Sequence, residues 1–63
     1  MSIEPKIVRA EIDTLRGWAV DAEQPFTLES CTEAVCVALH GPALDAWTEA
    51  LAAEWTDADV VTR

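Results

Sequence analysis

The sequence predicts an all-α fold, a small three-helix bundle in which helix 1 packs on a hairpin of helices 2 and 3. Three observations point to it. Apolar residues recur at helical rather than alternating spacing along most of the chain. His40-Gly41-Pro42 punctuates the pattern sharply. Third, eleven alanines among 63 residues supply the strongest intrinsic helix former.

Helix 1 is expected from about Ile3 or Pro5 towards Ala22. Ser2 is placed to cap it, and Pro5 suits a first turn, where its missing N–H is no loss. Val8, Ile12, Leu15, Ala19 and Ala22 form one stripe, with Ile7 and Trp18 on its flank. Gly17 either ends this helix, with Arg16 suited to the dipole there, or is passed through at about 1 kcal/mol. The stripe's continuation to Ala22 favours passage.

Helix 2 follows a loop at Pro25, with Thr27 as its capping hydroxyl after Phe26. Leu28, Cys31, Val35, Ala38 and Leu39 form its buried stripe. Gly41 then takes the left-handed position and Pro42 cannot continue the hydrogen bonding. Helix 3 starts at Pro42 with Asp45 near its positive end and finishes near Trp55 or Thr56. Leu44, Trp47, Leu51, Trp55 and Ala58 lie within about 80° of one another, and Ala43, Ala46, Ala50 and Ala53 make a second, small-residue face. Residues 57–63 are read as a tail or a short extra turn. The whole chain, 1–63, is one domain.

Such a unit buries only about 60% of the surface its unfolded chain exposes. Large apolar side chains are few, so a partner or self-association is expected to supplement the core. The net charge of −8 is unevenly spread. Residues 1–16 balance; residues 17–62 carry nine carboxylates and no Lys or Arg. That sign repels phosphate backbones, which argues against direct nucleic-acid binding, and it attracts basic protein surfaces. Residues 28–56 have the outline of a helix-turn-helix, yet the second helix carries no basic residue to reach DNA.

Met1 to Pro5 has neither a basic start nor an apolar stretch, and the longest apolar run, Ala34 to Leu39, is far short of the ~20 residues a membrane span requires. A soluble, cytoplasmic protein without membrane contact is expected. Cys31 and Cys36 on one helix point about 140° apart and cannot bridge, which fits a reducing compartment.

One face of helix 2 is expected to present Glu29, Glu33, Cys36 and His40, and Cys36 with His40, four apart, is the closest approach to a metal pair or a catalytic dyad. Against this, structural zinc takes four committed ligands, and nothing supplies an oxyanion hole or substrate cleft. A solvated acidic face beside a half-buried thiol explains the same residues. No catalytic group, metal or cofactor is assigned, and the chain is expected not to be an enzyme.

The expected function is that of a helical protein-interaction module: an adaptor, accessory subunit or modulator, self-associating or in a hetero-complex. Its interface is assigned to Trp18, Trp47, Leu51 and Trp55 with Glu29, Glu33, Glu49 and Glu54 as acidic flanks. Two alternatives stand beside it: an acidic mimic of nucleic acid that inhibits a basic protein, and the subunit of a small structural homo-oligomer.

Overall fold

The computed structural model describes residues 3–62 and is a three-helix bundle: α1 over Pro5–Asp21, α2 over Leu28–Cys36 and α3 over Gly41–Glu54, followed by a 3-10 turn over Asp57–Asp59. Each helix touches the other two. A lone antiparallel bridge between Phe26 and Val61 is the extended pairing among the described residues.

Helix α1 runs through Gly17 without a break, as its stripe implies. Pro5 occupies its first turn, but the N-cap is Glu4, whose side chain makes no capping bond, so the expected cap shifts; Ser2 lies outside the described residues. The helix ends in a Schellman arrangement. The Glu23 N–H donates to the Val20 carbonyl at 3.1 Å and the Gln24 N–H to the Ala19 carbonyl at 2.8 Å. Glu23 takes the left-handed conformation there, at φ 57°, in a position that glycine usually fills.

Helix α2 opens on a reciprocal capping box. The Ser30 N–H donates to Thr27 Oγ1 at 3.2 Å, and the Thr27 N–H donates to Ser30 Oγ at 2.8 Å. Its end falls earlier than the stripe predicts, at Cys36. Val37 and Ala38 form a turn, with the Ala38 N–H tightened onto the Val35 carbonyl at 3.1 Å. Leu39 still reaches the core from this turn, whereas Ala38 is exposed. Gly41 then adopts φ 61°, the left-handed step expected of it, and α3 departs.

The core is formed by Val8 and Ile12 of α1, Cys31 and Val35 of α2, Leu51 of α3 and Phe26 from the α1–α2 loop. Trp55 follows the end of α3 in extended backbone and packs its ring on Phe26, centroids 5.3 Å apart. The segment after α3 is the extra turn rather than a tail as far as Thr62, while Arg63 lies outside the described residues.

That segment is tied down by an ion pair whose carboxylate is buried and whose Arg9 side chain is 32% exposed. Asp59 is 1% exposed. Arg9 Nη1 donates to its Oδ1 at 2.6 Å, and Arg9 Nη2 donates to the Glu54 carbonyl at 2.8 Å. The Thr56 N–H and hydroxyl donate to Asp59 Oδ2 at 2.9 and 3.1 Å. Both carboxylate oxygens are therefore satisfied, which a buried charge requires. Hydrogen bonding to Arg9 holds the Asp59 carboxyl below its ordinary range, against the opposing effect of burial.

Candidate interaction surface

Among the described residues, the bundle leaves five large apolar side chains exposed: Ile7, Trp18, Val20, Val37 and Val60. Trp18 is by far the largest of them and is 65% exposed; Ile7 is 51% exposed. At 100° per residue, Ile7, Glu11 and Trp18 fall within about 40° on α1, so they share one flank of that helix. Ile7 and Trp18 stand roughly 16 Å apart along its axis at a rise of about 1.5 Å per residue. The opposite flank carries Arg9 and Arg16, which turn towards Asp59.

Glu11 carries this flank into a cleft of about 200 Å3 shared with Ala34, Val35, Ala38, Leu39 and Trp47. Its carboxylate pairs with no cation and accepts no hydrogen bond among the described residues. It lies near enough to Cys31 to add to the effect of burial on that thiol, which is pushed up to about 11. Cys31 is thus an inert core thiol, while Cys36 is exposed. A second, larger cleft of about 510 Å3 lies on the other side of Trp47, lined by Ile3, Pro42, Ala43, Asp45, Ala46 and Glu49.

The residues assigned to an interface from sequence are dispersed. Trp18 is on the α1 flank and 65% exposed. Trp47 and Trp55 are half-buried, each packed against the core. Leu51 is wholly buried, at 0% exposure, and offers no surface to a partner; the α3 stripe that contains it faces inward. Glu29, Glu33 and Glu49 are exposed. Glu54 is drawn to Arg9, at 3.8 Å, and belongs to the clamp rather than to a free acidic flank.

The face proposed to join Glu29, Glu33, Cys36 and His40 does not form. Because α2 stops at Cys36, His40 is displaced to the N-cap of α3, in extended backbone. Among the described residues no group of three or more His, Cys, Asp or Glu is arranged to hold a metal ion. No helix is long and apolar enough to cross a membrane.

Sequence reasoning missed the Arg9–Asp59 pair and the role of Glu11. Thr56 and Asp59 do stand in the spacing of a capping box, a local signal for the extra turn. Their link to Arg9, fifty positions away, has no local signal.

Seven carboxylates, those of Asp21, Glu23, Glu29, Glu33, Asp45, Glu49 and Asp57, are exposed and pair with no cation among the described residues. Two others of the acidic stretch, Glu54 and Asp59, pair with Arg9, and Asp59 also faces Arg16 at 3.5 Å. Compared with protein-family models, curated proteins and solved structures, the chain matches none, so its surface chemistry alone supports a functional reading.

Proposed function

We propose that this protein is a non-enzymatic interaction module that docks a protein partner through the outer flank of α1. The observation that carries the reading is the 65% exposure of Trp18, on the same flank as the half-exposed Ile7, in a domain whose apolar core is small. Tryptophan is a costly residue to leave in water and is enriched at the energetic centres of interfaces. Uncompensated carboxylates on α2 and α3 favour a basic partner surface and speed encounter with it. The same charge opposes close approach of a second copy.

The test is capture from nuclease-treated native lysate, comparing wild type with Trp18→Ser at low and high salt. Trp18 is 65% exposed and lies outside the core cluster, so the variant is expected to keep its helical circular dichroism. A partner held by wild type through a high-salt wash and lost by Trp18→Ser supports apolar docking. Equal capture by both overturns it. Sedimentation supplies the remaining outcome: a multiple of the chain mass that collapses in Trp18→Ser assigns the flank to a second copy.

The seven unpaired carboxylates favour a second reading, an acidic occupant of a basic protein's nucleic-acid groove. It predicts capture that vanishes at high salt and on combined Glu29→Lys, Glu33→Lys and Glu49→Lys, with Trp18→Ser harmless.

A further inference from the structure

We infer that the cleft between Glu11 and Trp47 receives an arginine side chain from the basic partner. This deepens the docking reading above and rests on it. The cleft's volume, about 200 Å3, is below that of most small-molecule sites, which run from about 300 to 1,000 Å3, and suits one inserted side chain. Its walls are the methyl and isobutyl groups of Ala34, Ala38 and Leu39 together with the Trp47 indole, while Glu11 provides its charge.

Those two properties restrict the occupant. An apolar side chain would fill the walls but strip water from a carboxylate that has no partner among the described residues, which is costly. An anion would meet Glu11 directly. A cation on an apolar stem satisfies both: its methylenes lie along the alanine and leucine walls, and its charge meets the carboxylate. Guanidinium fits better than ammonium, because it is planar, weakly hydrated and disposed to stack on indole. The cleft adjoins the Ile7–Trp18 flank through Glu11, so one partner segment can lie across both. Asp45 and Glu49, beyond Trp47, extend the same sign of charge along its path.

The probe is butylguanidinium, with butylurea as its neutral counterpart, added to isotopically labelled full-length protein and followed by the Trp47 indole resonance. Butylguanidinium is expected to shift that resonance saturably, while butylurea leaves it in place. Glu11→Gln, which breaks no bond within the described residues, is expected to weaken binding about fivefold, the scale of one half-exposed ion pair. An unsaturable Trp47 response, an equal response to butylurea, or unchanged binding in Glu11→Gln overturns the inference. The titration reads the cleft without any partner, and Trp18→Ser leaves it unaltered. Loss of the docking reading therefore shows in capture, and loss of the arginine site shows in the titration.

Discussion

Replacing Asp59 by asparagine keeps its shape and removes its charge, which isolates what the ion pair of this buried carboxylate contributes. The carboxylate accepts from Arg9 through Oδ1 and from the Thr56 N–H and hydroxyl through Oδ2. An amide has one acceptor oxygen. Whichever way it is turned, its NH2 faces either the Arg9 guanidinium or the Thr56 N–H, and a donor meets a donor. A hydrogen bond to a charged group contributes about 1.5–3 kcal/mol, so a loss of about 2–3 kcal/mol is expected. A chain this size has a total stability of only about 3–9 kcal/mol. At about 4–8 °C per kcal/mol the melting temperature should fall by roughly 10–20 °C.

Thermal and urea unfolding read this directly, with Asp57→Asn, an exposed neighbour, as control at less than about 0.5 kcal/mol. Equal effects of the two substitutions would refute the argument, because Asp59 would then behave as a surface carboxylate. Acidity offers an independent reading. The folded-state pKa of Asp59 is depressed below its unfolded value, so its contribution is present above the unfolded value of about 3.9. It is lost as pH falls through the folded value, and wild type and Asp59→Asn should converge in stability there.

Four further outcomes follow from local geometry. Gly17→Ala should stabilise the protein by about 1 kcal/mol in thermal unfolding, since the position is mid-helix and a Cβ there meets nothing within 4 Å; no gain would mean that α1 is broken there. Glu23→Gly should stabilise by about 0.5–1 kcal/mol by relieving the left-handed conformation at φ 57°, whereas Glu23→Ala should not. A thiol reagent at pH 8 should label Cys36 alone in the folded protein and both cysteines in urea, because Cys31 is buried with its pKa pushed up to about 11. Since that folded value lies above the unfolded one, Cys31 also predicts stability that declines as pH rises from the ordinary thiol range towards 11.

Local patterns were legible in proportion to how local their causes are. The Thr27 cap, the left-handed Gly41 and the passage of α1 through Gly17 each depend on a few neighbouring residues, and each reads correctly from spacing and turn chemistry. The end of α2 does not, because no glycine or proline marks the stop at Cys36, and the first such residue is Gly41. Within the α3 stripe, periodicity finds the inward face but cannot distinguish an interface from a core: Leu51 and Trp47 share that face, yet only Trp47 meets solvent. Trp18 reads as a flank residue from the same periodicity, and it stays 65% exposed while Glu11 of the same flank turns into the cleft against Trp47. The Arg9–Asp59 pair was illegible, since charge counting treats both as surface residues and their meeting depends on the finished bundle.

That pair also orders events during synthesis. A three-helix unit ordinarily folds on local contacts, but here residue 9 is joined to residue 59, and Phe26 to Val61, across most of the chain. Until Asp59 has left the ribosome, Arg9 has no buried partner and Phe26 lacks its paired backbone. The earlier segments can turn helical as they emerge, yet the bundle closes only once residues 59 and 61 are free to meet Arg9 and Phe26, in one long-range step.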